Sequence, residues 1–542
     1  MKKLMFGAAA AALLAACGGN GGDGEAAIEQ AAEAAKREII DVASLTPRGG
    51  DASEAAAALT AMNLDTSGTG IVTFANKSVN GATATFTDVS IEIEDGDQPS
   101  VTAGTLTLEG LETTESGEAS FGLMKLADIT IPPSEGEGDT VTTIKGLSLV
   151  NPSPATAGYI AKVLGGGDHE AVPDAEGLSF EGLALETLLA TISDEDGTSG
   201  TFGIETVNLG AQPDENVGSA VLEGMKLDIV DGADGQTAKM NLDNLTIAGA
   251  DLKLLEAVRD NVDDEEAMAT ALSAALYDNP IDPGFDSMSL SNFTFDIAGA
   301  DFALPSMSYV VARNDAGEPT RLSLEPMTMT LSADPEGGEA GSELAGALGM
   351  IGYETIELNA AGASTYDPET DILTYEAGEN YFGLADGFTL NTGGKIEGYK
   401  AYSASLGDLM ADPAALENGD PTAMMGAFSS LVVHNFELQF DDNSFVDRMF
   451  NLAAAQSGED PAQLRNQAVM MTSMAPMMAA GAGIDGALAT EFAGAISSFL
   501  SEPGTLTLKV APETPLNIGA LIESGDPSSL TKDSLGFSAS NE

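Results

Sequence analysis

The fold of this chain is decided by stretches such as EGMKLDIVDG, residues 223–232. Its apolar residues Met225, Leu227 and Ile229 alternate with charged ones, and a period of two is typical of a β-strand with one dry and one wet face. The closing Asp-Gly pair is a turn signal, so an antiparallel neighbour is expected to follow the strand. The same alternation recurs in residues 89–94, 105–109, 327–331 and 436–440.

A short phrase introduces many of these segments: a small, acidic or amide residue, and then an apolar-x-apolar triplet. We interpret the phrase as a strand start, and its first residue stands at Asp88, Asp128, Gly146, Gly182, Gly224, Asn244, Asn292 and Asn435. The intervals between the copies are uneven, whereas a solenoid keeps a fixed period. The pattern therefore predicts a mainly β chain, with a long antiparallel, curved or folded-over sheet of repeated strand pairs over residues 51–440 and helical insertions within it.

A helical block is predicted at residues 441–504, because apolar residues there recur every three or four positions. Together with the sheet it gives an α+β chain, which ends in a terminal strand and tail at residues 505–542. One helical face collects five methionines, at positions Met470, Met471, Met474, Met477 and Met478. This spacing is typical of a buried helix face or an apolar ligand lining, and we favour both over a copper site because no Cys or His lies nearby.

The recurring strand starts resemble those of AsmA-like proteins and related periplasmic β-groove proteins. The resemblance covers residues 70–440. It implies an elongated, curved sheet with an apolar concave face, and an association with lipid homeostasis in the cell envelope.

The N-terminus resembles a bacterial lipoprotein signal. Lys2 and Lys3 precede a short apolar run that ends in the lipobox-like sequence LAAC at Cys17, the single cysteine of the chain. The run is shorter than the roughly 20 apolar residues of a membrane-spanning helix. We predict a signal peptide at residues 1–16, lipidation of Cys17, and a lipidated tether with a short helix at residues 17–50. The alternative is an ordinary cleavage site beside a chance cysteine.

The chain is strongly acidic, with 21 Lys and Arg residues against 85 Asp and Glu residues and a net charge of −64. A surface of this sign repels phosphate backbones, so nucleic-acid partners are excluded. The acidic residues are spread along the whole sequence, which indicates adaptation to salty water.

No motif in the sequence indicates an enzymatic reaction. The two histidines are His169 and His434, and no GxSxG, P-loop, HExxH or dinucleotide-binding motif occurs. The abundant carboxylates lack the spacing of a calcium-binding loop. We therefore expect neither an enzyme nor a metal ion or cofactor.

Two functions remain open. The first is an envelope lipoprotein, on the outer membrane facing the periplasm or on the cell surface, that binds or shields apolar molecules such as lipids on the dry face of its sheet. The second is a non-catalytic structural or interaction lipoprotein with a closed β core; the oligomeric state stays open in both. For the first function, the expected ligand-lining residues are Ile91, Leu227, Met327, Met329, Met471, Met474 and Met478.

Replacement of the lipidated thiol tests the anchor. The Cys17→Ser variant is expected to accumulate as unprocessed precursor or as a soluble periplasmic protein, because several acyl chains at about 0.8 kcal/mol per buried methylene are its only predicted attachment. Membrane fractionation measures the outcome. A variant that sediments with membranes as the wild type does would contradict the prediction.

Salt should stabilise the fold. Removal of Lys2 and Lys3 with the signal leaves a net charge of −66, and this charge repels itself most strongly at low ionic strength, where the Debye length reaches about 30 Å at 0.01 M. Thermal melts in increasing sodium chloride are expected to move to higher temperature. A melting temperature that does not change with salt would rule out salt adaptation.

Overall fold

A computed structural model describes residues 39–92, 100–115, 117–133, 139–166, 179–193, 197–213, 216–233, 235–252, 282–410, 426, 428–481, 483–524 and 530–542. The predicted signal peptide, Cys17 and residues 17–38 of the predicted tether lie outside these residues, whereas residues 39–50 of that predicted tether are described. The chain forms two compact units. Among the described residues, the N-terminal unit comprises those of 39–252 and 285–298, and the C-terminal unit comprises those of 282–284 and 299–542.

The N-terminal unit is built on a long antiparallel meander. Its strands are β1 (Val72–Thr73), β2 (Asn76–Asn80), β3 (Thr83–Ile91), β4 (Val101–Glu109), β5 (Glu112–Thr113), β6 (Ala119–Ser120), β7 (Leu123–Ile131), β8 (Val141–Val150), β9 (Gly182–Ser193), β10 (Ser199–Gln212), β11 (Val217–Val230), β12 (Thr237–Asp251) and β13 (Ser287–Ile297). Strands β3, β4, β7, β8, β9, β10, β11, β12 and β13 lie side by side in this order, each antiparallel to the next. Strands β1 and β2 pair with β3, while β5 and β6 form a separate ribbon.

The first part of this sheet has a helical cover. A 3-10 turn, Val42–Ser44, precedes helix α1 (Ala55–Ala61), and helix α2 (Pro154–Leu164) follows β8. The side chains of Leu59 on α1 and Ala157 on α2 are buried in one cluster with Phe86, Leu106 and Leu108 of β3 and β4. The apolar face of β3 and β4 is therefore a closed core.

Left-handed residues form a line across the sheet of the N-terminal unit. Every second strand carries one, with φ between +47° and +64°, and these residues are Asp88, Asp128, Thr187, Gly224 and Asn292. The register places each of them opposite an unpaired residue of the neighbouring strand: Thr87 pairs with Thr105 and Val89 with Ala103, which leaves Asp88 facing Gly104. We call this set the left-handed line.

The left-handed line keeps apolar residues on one face. A residue that leaves the extended conformation interrupts the alternation of side chains between the two faces of the sheet. Here the sequence matches the interruption, because apolar residues are spaced i, i+2, i+5 and i+7 around the left-handed residue, as in Met288, Leu290, Phe293 and Phe295 of β13. The interpretation of the phrase as a strand start is thus wrong for most copies. Asp88, Asp128, Gly224 and Asn292 lie inside strands, while Gly182 does begin β9.

The C-terminal unit contains a second antiparallel meander. Its strands are β14 (Ala300–Arg313), β15 (Pro319–Ala333), β16 (Thr355–Asp367), β17 (Ile372–Tyr375), β18 (Tyr381–Leu384), β19 (Phe388–Glu397), β20 (Val432–Asp442), β21 (Thr505–Val510), β22 (Leu516–Asn517) and β23 (Phe537–Asn541). Strand β16 pairs with β15 and with both β17 and β18, and these two pair with β19. Strands β20, β21 and β23 follow, with β22 beside β20.

Helices cover the end of this second meander. They are α3 (Glu339–Ile351), α4 (Tyr399–Met410), α5 (Phe445–Ser457), α6 (Pro461–Gly481), α7 (Gly486–Ser501), α8 (Ile518–Ser524) and α9 (Lys532–Leu535). Phe499 of α7 is buried against Leu506 of β21, and its ring meets the ring of Phe440 edge-on at 5.7 Å between centroids. The ring of Phe388 stacks on that of Phe440 at 5.1 Å. The apolar face at this end of the sheet is therefore a closed core.

Helix α6 packs along α7, which in turn packs against β21 and β23. Leu464, Ala468 and Ala475 on its inner face are half-buried. The prediction of a buried methionine face is wrong, because the five methionines at positions 470, 471, 474, 477 and 478 are between 53% and 78% exposed. Helical spacing identified one face of α6 but not the direction in which this face points.

The prediction of a mainly β, antiparallel chain with helices toward the C-terminus is confirmed. The predicted helical block matches α5 to α7, and the predicted terminal strand at residue 505 is β21. The boundary expected at residue 440 falls inside β20, and residues 253–281, within the span where helical insertions are expected, lie outside the described residues. No described helix is both long and apolar enough to span a membrane.

Thr187 offers a test of the left-handed line. A β-branched residue is strained at φ +47°, whereas asparagine adopts this conformation readily. The Thr187→Asn variant is therefore expected to be more stable by about 1 kcal/mol, which raises the melting temperature by roughly 2–4 °C for a unit of this size. The control is Thr191→Asn, at an exposed site of the same strand with no positive φ, where asparagine should destabilise slightly. Equal changes at both positions would contradict the assignment.

Candidate apolar binding face

The apolar side of strands β9 to β13 consists of side-chain rows that run across the strands in register. One row contains Ala190, Phe202, Leu227, Met240 and Phe295, which are paired neighbours from β9 to β13. A second row contains Leu185, Val207, Leu222, Leu245 and Leu290. All ten side chains are half-buried. We call these two rows the open apolar face.

The second row continues into the closed core of the same unit. From Leu185 it passes through Leu147 and Leu126 to Leu106 and Phe86 on β3. Leu106 and Phe86 are fully buried, whereas Leu185 and the residues beyond it on β10 to β13 are half-buried. One uninterrupted apolar row thus begins under helices and ends partly open to water.

The opposite side of the same strands is polar. Thr201, Asp228, Lys239 and Asp296 are paired neighbours from β10 to β13. Near the left-handed line, the Asn292 side chain donates a hydrogen bond to Asp243 at 2.9 Å. Hydrogen bonds from Asn241 and Asn292 hold the pKa of the Asp243 carboxyl below its usual value. The strands therefore have one apolar and one charged face, as their alternation predicts.

The left-handed line also sets the local geometry of this face. Gly224 adopts φ +64°, and a Cβ at this position would lie 2.4 Å from the Glu205 side chain of β10. A larger residue would displace Glu205 and its ion pair with Lys226, in which Nζ and Oε1 are 3.3 Å apart. Glycine therefore allows β10 and β11 to approach while Met225 and Leu227 keep their place on the apolar side.

The chemistry available on the open apolar face is dispersion and hydrophobic contact. The side chains of both rows are aliphatic, aromatic or thioether groups, which supply no hydrogen-bond donor. Five strands at a spacing of about 4.8 Å make each row about 19 Å long. A long hydrocarbon chain fits such a surface, while a polar or charged ligand group would lose its hydration there without compensation.

The first described residues lie beside this face. The backbone N–H of Ile40 donates a hydrogen bond to the buried Ser219 hydroxyl of β11 at 3.0 Å. Val42 is buried and contacts β9 at Gly182. The chain that leads from the predicted tether therefore enters the fold at the end of the strands that carry the open apolar face.

The structure distributes the predicted ligand-lining residues over several surfaces. Leu227 lies at the centre of the open apolar face, and Ile91 packs against the closed core of the same unit. In the C-terminal unit, Met327 is buried and Met329 is half-buried on β15. Met471, Met474 and Met478 lie on the exposed side of α6. Within each unit, the predicted ligand-lining residues thus lie on different surfaces.

Sequence reasoning missed most of the open apolar face, including Phe202, Met240, Phe293 and Phe295. Strict alternation identifies only part of each strand, because the alternation breaks off at the left-handed line. The spacing i, i+2, i+5 and i+7 was present in the sequence, as in Ala220, Leu222, Met225 and Leu227, and would have identified both halves of each strand.

Potential catalytic groups are dispersed in the described residues. His434 Nε2 lies 2.9 Å from Glu397 Oε2, between the neighbouring strands β20 and β19. His169 lies outside the described residues. A surface cavity of about 230 Å³ beside β18 and β19 is lined by residues that include Asn359, Tyr381 and Asp386, but no histidine, cysteine or lysine. Within the described ranges no group of three or more His, Cys, Asp or Glu side chains is placed to hold a metal ion.

A protein-family model described as "Uncharacterized protein" matches residues 381–542. This segment runs from β18 to the C-terminus of the C-terminal unit, and it does not include the open apolar face. No curated protein and no solved structure matches the chain.

Proposed function

We propose that this protein is a lipid-anchored protein of the cell envelope that binds or shields apolar molecules, and that lipids are the ligand class. One observation carries the proposal: the apolar row that is fully buried at Phe86 and Leu106 continues in register onto β9 to β13, where its side chains are half-buried. If the apolar face of the sheet served only to form the protein's own core, we would expect this row to be buried along its whole length.

The energetics favour an apolar ligand on this face. Water in contact with the row residues is displaced when a hydrocarbon chain lies on them, and about 25 cal/mol is gained for each Å² of apolar surface removed from water. Each methylene of the ligand contributes about 0.8 kcal/mol in the same way. The ligand headgroup would remain at the edge of the sheet, where the exposed strand ends reach water.

The predicted anchor places the open apolar face near a source of ligand. Cys17 precedes Ile39, the first described residue, by 22 positions, and an extended chain covers about 3.5 Å per residue. The tether therefore spans at most about 75 Å. We propose an outer-membrane location facing the periplasm, with lipid passing between this membrane and the face.

A second candidate function rests on the closed cores. In the C-terminal unit, Phe499 and Val446 are buried between the helices and β21, and in the N-terminal unit α1 and α2 close the face of β3 and β4. These regions need no ligand. The alternative is accordingly a non-catalytic structural or interaction lipoprotein whose sheets serve as scaffolds.

A charge placed on the open apolar face separates the two functions. In the Leu227→Glu variant the carboxylate can remain hydrated while the face is empty, so the fold should survive. Bound hydrocarbon would have to desolvate the charge, so the lipid recovered by solvent extraction and mass spectrometry should fall roughly tenfold, which corresponds to about 1.4 kcal/mol. The acyl groups on Cys17 are covalent and are counted separately.

The matched control is Ser289→Glu, which adds the same charge to an exposed site on the polar side of β13. The Ser289→Glu variant should retain both its bound lipid and its folding stability. Lipid-free wild-type protein, together with an unfolded Leu227→Glu variant, would refute lipid binding and leave the scaffold function.

A further inference from the structure

Helix α6 carries an apolar surface that the fold of its own unit does not use. Its inner residues Leu464, Ala468 and Ala475 are half-buried along α7. The outer side presents Met470, Met471, Met474, Met477 and Met478, each more than half exposed. We call these five residues the methionine stripe. From first to last it is about 12 Å long at a rise of 1.5 Å per residue.

The methionine stripe lies in an uncharged part of a highly charged chain. Residues 466–484 contain no Asp, Glu, Lys or Arg, and this is the longest uncharged run after the first 22 residues. Arg465 precedes the run, and it pairs with Asp447 and lies over the Phe450 ring at 5.1 Å. Asp485 follows it and caps α7 by accepting hydrogen bonds from the backbone N–H groups of Ala487 and Leu488. The charged side chains at both ends of the run therefore interact with other groups of the protein.

Clustered apolar side chains on a surface mark a contact with another apolar surface. Methionine is flexible and polarizable, so a row of methionines adapts to a partner without fixed shape. Acyl chains at the boundary of a fluid bilayer are such a partner.

The charge of the molecule selects among partners. A net charge of −64 repels anionic headgroups, and it repels a second copy of the same chain equally. A basic partner would be drawn to the acidic surface elsewhere rather than to an uncharged stripe. The partner that remains is a surface that is apolar and carries no net charge.

We propose that the methionine stripe docks on the acyl region of a zwitterionic lipid bilayer. The contact holds the C-terminal unit at the membrane surface. It is independent of ligand binding on the open apolar face, since the two surfaces belong to different units and share no residue.

The absence of tryptophan from the sequence allows a direct test. The full-length, anchored protein with Met474→Trp has a single indole in the stripe. The matched control is Met350→Trp, at a methionine of α3 that is 68% exposed in the same unit. Both proteins are reconstituted in phosphatidylcholine vesicles with and without bromine on the acyl chains, which quenches only an indole that enters the acyl region.

An indole at position 474 is expected to shift its emission to the blue and to lose roughly half of its intensity in brominated vesicles, because interfacial helices sink by about 5–10 Å. The indole at position 350 should show neither the blue shift nor the loss of intensity. Further substitution of Met471→Gln and Met478→Gln should abolish quenching at position 474, and exposed positions such as these tolerate the change. Replacing half of the lipid with anionic phosphatidylglycerol should weaken the quenching of the indole at position 474.

Three results would overturn the proposal: no quenching at position 474, equal quenching at positions 474 and 350, or undiminished quenching in anionic vesicles. A blue shift that grows with protein concentration in the absence of vesicles would assign the stripe to a second copy instead. The Leu227→Glu background separates the two lipid contacts. Quenching at position 474 should persist there whether or not lipid binding on the open apolar face is lost.

Discussion

The N-terminal unit depends on one constraint: all strands must keep their apolar residues on the same side of the sheet, although a left-handed residue interrupts the pleat of every second strand. Asp88, Asp128, Thr187, Gly224 and Asn292 meet this constraint together, since they lie in register on alternate strands. An interruption in one strand alone would reverse one half of that strand and break the rows on both sides. Because the interruption is shared, Leu185, Val207 and Leu222 remain neighbours across three strands.

This constraint explains what could be predicted from the sequence. Alternation identified the strands, their antiparallel order and their one-sided character, because period two depends only on local residues. The phrase around Asp128 and Asn292 is recognisable in the sequence, but it predicts strand starts rather than positions inside strands. Asp, Asn and Gly are favoured both in turns and in the left-handed conformation, so the residue type does not separate the two. Only the apolar spacing on both sides of the phrase does so.

The covered and open parts of the sheet could not be separated from sequence. Leu106 and Leu227 occur in similar alternating segments, yet the first is fully buried and the second is half-buried. The difference arises from long-range packing, because Leu106 belongs to a buried cluster that also includes Leu59 of α1 and Ala157 of α2. The methionines of α6 show the same limit, because a helical repeat defines a stripe but not its partner.

The distribution of charge gives the two apolar surfaces a common physical basis. The net charge of a chain with 85 acidic residues opposes self-association through its exposed apolar side chains. On β10 to β13 the acids, such as Asp228 and Asp296, occupy the side opposite the apolar rows, and on α6 they are absent from residues 466–484. In both places the charged residues lie away from the apolar surface, although they are abundant in the rest of the sequence. The proposed ligand, an uncharged lipid, can approach such a surface without desolvating a carboxylate and without meeting a charge of like sign.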